Sequence, residues 1–120
     1  MALPHAAAAE VIAAGPLGPA LAASSSRTLV RDRGLQIFRL VLTAGQVLAP
    51  HRVRDRMVIQ CLEGRLEFDA MGRRLVLGAG DLCHIPPDEE HAVRAIEACS
   101  ALVTLFGVDT HESPAPGEQA

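Results

Sequence analysis

An all-β barrel or sandwich is the fold class that this 120-residue sequence predicts, and three observations predict it. Short runs rich in β-branched and aliphatic residues recur along the chain. Inside them side chains alternate at period two, as where Leu66 and Phe68 alternate with Glu67 and Asp69. Glycine or proline stands at most junctions between runs, at intervals typical of antiparallel barrels. The length suits one domain with one core.

The elements follow in order. Residues 1–27 read as an N-terminal arm, alanine-rich, with Gly15, Pro16, Gly18 and Pro19 and then Ser24 to Ser26. Ala6 to Ala14 could form a short helix, stopped by Gly15 and Pro16 but marginal unless packed; an arm is the expectation. Residues 28–108 carry the barrel. Thr28–Arg33 and Leu35–Leu42 are strands about a turn or bulge at Gly34. Met57, Ile59 and Cys61 alternate with Val58, Gln60 and Leu62 in a strand that ends at Gly64. Met71-Gly72 turns the Leu66–Asp69 strand into Arg74–Leu77. Further strands are expected at Leu82–Ile85, Ala92–Ile96 and Ala101–Phe106. Residues 109–120, with Pro114, Pro116 and Gly117, read as a flexible tail.

Composition narrows the function classes. A net charge of -3 offers no attraction to nucleic acid or to an anionic membrane surface, so neither partner is expected. No run approaches the length of an apolar membrane span. All 11 basic residues are arginine, which reads as codon bias, and the chain has no lysine, asparagine, tyrosine or tryptophan. Schiff-base lysine chemistry and a tyrosine general acid are thereby excluded, and stacking falls to Phe38, Phe68 and Phe106. Cys61, Cys83 and Cys99 are odd in number and lack a CxxC spacing, which argues against a disulfide framework. With no basic stretch before the N-terminal alanines, a cytoplasmic location is expected.

Two glycine-led blocks carry the chemistry. The first runs Gly45, five residues, His51, one, Val53, three, Met57, six, Gly64; the second runs Gly80, five, Pro86, one, Asp88, two, His91. Gly80 and Asp81 open a strand from a turn, and Pro86 and Pro87 end it and set the path to His91. In this spacing and order the blocks resemble the two signature motifs of the cupin superfamily, over Leu29 to Phe106. The resemblance implies a double-stranded β-helix, a jelly-roll barrel, behind a short N-terminal arm or helix. It also implies that the inward set encloses a cavity.

In metal-binding cupins the four ligands would fall on His51, Val53, Met57 and His91, of which two are apolar here. Zinc sites want three or four ligands, so His51 and His91 are not expected to hold a metal firmly and no cofactor is expected. A divalent transition metal is the minor alternative, with His84, Cys61 or Cys83 replacing a lost ligand. The candidate ligand pocket comprises His51, Val53, Met57, Ile59, Cys61, His84, His91 and Val93. Arg52, Arg54 and Arg56 read as a solvated face whose charge Asp55 offsets, and Asp88, Glu89 and Glu90 as a rim or a soluble loop.

The resulting expectation is a protein that binds a small-molecule ligand in an apolar barrel cavity, with His51 and His91 as polar anchors. The alternative is a metal-dependent cupin enzyme of dioxygenase, isomerase or decarboxylase type with a substituted ligand set. A nucleotide-sugar epimerase of this fold is disfavoured, because its tyrosine is absent. Resemblance and the hazard of unpaired edge strands make a homodimer the expected assembly, and a purely structural dimer the third reading.

Overall fold

Nine strands make two facing antiparallel sheets in a computed structural model that describes residues 5–107. They are β1 (Arg27–Asp32), β2 (Leu35–Leu42), β3 (Val47–His51), β4 (Arg56–Glu63), β5 (Arg65–Ala70), β6 (Arg73–Gly78), β7 (Leu82–Ile85), β8 (His91–Ala95) and β9 (Cys99–Phe106). One sheet has the order β1-β2-β9-β4-β7 and the other β3-β8-β5-β6, the two-layer arrangement of a jelly roll. The expected tail at 109–120 lies outside the described residues. No helix among them is long and apolar enough to cross a membrane.

Alternation fills the space between the sheets. Met57, Ile59 and Cys61 of β4 stand opposite Leu105, Val103 and Ala101 of β9, which in turn faces Phe38, Leu40 and Leu42 across β2. From the other sheet Leu66, Phe68, Leu77, Val93 and Ala95 join the same buried cluster. A barrel this small holds side chains rather than open space. Gly64 leaves β4 with φ +77, a left-handed backbone that a Cβ would strain, and its Cα lies tight against Ala98 and Cys99.

β3 ends at His51, short of Val53. Its Pro50 cannot donate to a ladder, so the segment survives only at a sheet edge, and its register with β8 shifts between Leu48 and His51.

No helix forms at Ala6–Ala14. Ala6 instead donates its N–H to the Leu29 carbonyl at 2.9 Å, and a turn follows in which Glu10 returns to Ala7. Among the described residues the arm's only helix is a 3₁₀ segment at Gly18–Ala23. What overrides alanine's helix preference is attachment to the outer face of the five-stranded sheet. The buried Arg39 donates to the carbonyls of Gly15 at 2.9 Å and Ala13 at 3.3 Å. Leu17, in a right-handed conformation, and Gly18, at φ +60, aim two successive amides at the Glu63 carboxylate, at 2.8 and 3.0 Å. Consecutive amides in this right-then-left pair form an anion-binding nest. The Ser100 hydroxyl donates to the same carboxylate.

Glu63 therefore responds to pH in a defined direction. Its partial burial raises the carboxyl, but the Leu17 amide, Ser100, the Gly18 amide and the Arg39 charge outweigh that and hold it below its ordinary value of 4.5. Since the folded state holds the proton more weakly, this attachment is fully present above pH 4.5 and is lost as the pH falls through the lower folded value. Glu63→Gln should loosen the arm even at neutral pH. Faster hydrogen exchange at the Leu17 and Gly18 amides would register it, with amides of β9 unchanged; equal protection in both proteins would refute it.

Candidate functional site

The chemistry gathers at one end of the four-stranded sheet. His51 of β3 and His91 of β8 are register partners, and His91 pairs in turn with Ala70 of β5. The two imidazole rings meet edge to face with centroids 4.5 Å apart. Behind His91 lies Phe68, stacked at 5.5 Å and tilted only 14°. Each histidine uses Nδ1 locally: His51 faces the Ala49 carbonyl at 3.3 Å, and His91 the Glu89 carbonyl at 3.1 Å. A carbonyl can only accept, so both rings donate from Nδ1 when neutral. That leaves both Nε2 atoms as acceptors.

His91 is buried and His51 half-buried. Burial, and secondarily the neighbouring His51, pushes the His91 pKa below 6.5 despite the Glu89 carbonyl and charge, which act the other way. The folded state thus favours the neutral ring. Above pH 6.5 the shift costs nothing, because both folded and unfolded chains are neutral there. As pH falls below 6.5 the unfolded chain takes its proton first and stability declines, down to the folded value. Denaturation midpoints from pH 7.5 to 5 should fall more steeply for the native chain than for His91→Gln; parallel profiles would contradict this assignment.

The remaining expected pocket residues divide into two groups. Ile59 and Cys61 are only 1% and 0% exposed, so neither touches space that a water could enter. They are core, which corrects their place in the expected pocket. Inward alternation was read correctly, but the opposite sheet fills the space it points into. Val53, Met57 and Val93, at 8%, 5% and 4%, belong to the same buried cluster. His84 is exposed on the outer face, since its neighbours Cys83 and Ile85 point inward against Ile59 and Met57. It is removed from the pocket and from any shared site with His51.

The residues do not fit a metal centre of three or more ligands. Among the described residues no group of three histidine, cysteine, aspartate or glutamate side chains could hold an ion. Nor are the thiols activated: burial raises the pKa of Cys61 and Cys83, and that of Cys99 to about 11. All three cysteines are free.

The arginines partly follow expectation. Arg52, Arg54 and Arg56 are exposed, and Arg52 reaches the second block, with Nη1 donating to the Asp88 carbonyl at 3.4 Å and Nη2 lying 3.6 Å from Glu90. Asp55 departs from expectation, being only 6% exposed; burial raises its carboxyl against the opposing charge of Arg54. Beside His91 opens a depression of about 550 Å³, walled by Pro50, the β5–β6 turn and the Glu89–Ala92 segment. Sequence reasoning missed this flank. Its signal was the pairing of β5 with both β6 and β8, which brings Arg73 into the row of Ala70 and His91.

Comparison with known proteins agrees with this architecture. The family model described as Cupin domain matches residues 38–105. A conserved protein of unknown function from Streptococcus pyogenes superposes with TM-score 0.70 at 21% identity, over 91% of this chain and 96% of that one. A cupin superfamily protein from Desulfitobacterium hafniense gives TM-score 0.66 at 16% identity, over 68% and 75%. An RmlC-like cupin from Desulfovibrio desulfuricans gives 0.62 at 26%, over 68% and 79%. No curated protein matches the sequence significantly.

Proposed function

The chain belongs to the cupin family, and from that premise we propose that it binds a small molecule at the barrel end where His51 and His91 meet, without a firmly held metal. The observation that carries this reading is the pairing of two imidazoles whose Nδ1 atoms are already engaged by backbone carbonyls two residues earlier in the chain. Each ring is thereby oriented, and each offers one acceptor. Phe68, stacked on His91, supplies apolar surface behind the pair. Such a combination of apolar surface and a few fixed polar atoms is what a small-ligand site requires.

Two measurements test it. Elemental analysis of untagged protein should find no stoichiometric metal; one equivalent that disappears in both His51→Ala and His91→Ala would overturn the reading. A thermal-shift survey with a chemically mixed set of small alcohols, amides and acids should find stabilising compounds. Binding at a hundredfold excess over Kd is worth about 2.7 kcal/mol of folding stability. That stabilisation should vanish in both histidine variants, and stabilisation that survives in both would place the site elsewhere.

A further inference from the structure

The walls of the depression beside His91 differ in how far their charges are already committed. Arg74 is held by Asp69 at 3.0 Å and lies 3.8 Å from Glu67, while Glu90 lies 3.6 Å from Arg52. Arg73 is exposed and makes no side-chain hydrogen bond or ion pair among the described residues. It stands in one cross-strand row with Ala70, His91 and His51. Two strand spacings separate Arg73 from His91, about 10 Å between backbones, which a long guanidinium side chain spans in large part. Glu89 brings one carboxylate close to His91.

Backbone conformation shapes the same place. Only three non-glycine residues among those described have positive φ, and two border this depression: Met71 at +56 in its wall, and Asp88 at +62, one residue before Glu89. Met71 and Gly72 are the two-residue loop joining β5 to β6, and a loop of that length takes positive φ at both positions, so the turn itself sets the conformation; the methionine it carries is 58% exposed. The turn holds an apolar side chain out over the depression's edge.

Resting on the binding reading above, we infer that the ligand is a small hydroxy- or amino-carboxylate. The fork of Arg73 takes the carboxylate, since planar two-point pairing is what a guanidinium does best. Nε2 of the neutral His91 accepts a hydrogen bond from the ligand's hydroxyl or amino group. Met71 and Pro50 cover its carbon skeleton. The Glu89 charge disfavours a second carboxylate near the histidine and favours an amino group there.

Thermal shift and calorimetric titration with four probes test this: L-lactate, L-serine, propanoate, which lacks the donor, and 1,2-propanediol, which lacks the carboxylate. Lactate or serine should bind more tightly than either control. Arg73→Gln should weaken that binding about tenfold or more, as expected for a charged hydrogen bond, with the melting temperature of the free protein unchanged. Arg73→Lys should recover part of it. If the diol binds through both histidines and the acids do not, the inference fails while the binding reading stands. If neither these probes nor the mixed set respond to the histidine variants, the binding reading fails too. Acid binding that is indifferent to Arg73→Gln also overturns the inference.

Discussion

Gly64→Ala is expected to abolish the folded state. A Cβ at this position would collide with the Ala98 carbonyl oxygen and stand 2.7 Å from Cys99 Cβ and 2.8 Å from Cys99 Cα. Two of these three atoms belong to backbone, which cannot swing aside as a side-chain tip would. The φ of +77 adds the ordinary cost of a left-handed alanine, about 1–2 kcal/mol. The collision also falls where β4 leaves its ladder with β9, beside the fully buried Cys61 and Cys99. A combined loss above about 4 kcal/mol is in the range reserved for severe disruption. Small domains have roughly 5–15 kcal/mol in total, and one of this size sits toward the lower end. Urea denaturation should show no cooperative transition, or the protein should be insoluble. Gly72→Ala is the control: it has φ +72 but nothing within 4 Å, so it should lose only about 1–2 kcal/mol. Equal effects of the two substitutions would show that backbone conformation, and not close approach, sets the cost at Gly64.

Phe68→Ala should produce the next largest loss, about 3–5 kcal/mol in denaturant. Phe68 is fully buried at the centre of β5, with Val93 and Leu75 as its cross-strand neighbours. Truncation leaves a cavity that two hydrogen-bonded sheets cannot close. Phe68→Leu keeps most of the volume and should cost about 1.5 kcal/mol. The ring also lies flat against His91, so both variants should weaken any histidine-dependent ligand binding in the same order. Full stability in Phe68→Ala would mean that the core collapses around the gap. Undiminished affinity would mean that the Glu89 carbonyl alone orients His91.

The barrel was legible because its signals are local. Gly64, Gly80, Pro86 and the period-two runs each act through neighbours in sequence, and the structure keeps them where expected. His84 is the exception: the pocket expectation included it, although Cys83 and Ile85 turn inward and strict alternation sends the residue between them outward. What stayed hidden depends on distant contacts. Ile59 and Cys61 pointed inward as read, but whether they met a cavity or a packed wall was decided by Leu66 and Phe68 on the other sheet. Asp55 looked solvated among arginines, although the fold buries it. Glu63 and Arg39 take partners 46, 45, 24 and 26 residues away, and those partners are backbone atoms, which carry no side-chain signature. A helix at Ala6–Ala14 was reasonable from propensity alone, and tertiary attachment overrode it.

That attachment sets how freely the first part of the chain can change. The arm is gripped through the carbonyls of Ala13 and Gly15 and the amides of Leu17 and Gly18, and its 3₁₀ segment buries no residue. Most of its side chains can therefore be rewritten without disturbing the grip. The exceptions are Ser26, whose hydroxyl bonds both backbone groups of Val41, and positions that set backbone shape, above all Gly18. Information about where the arm lies is stored in the sheet, at Arg39 and Glu63, and the arm itself works as an almost sequence-neutral tape.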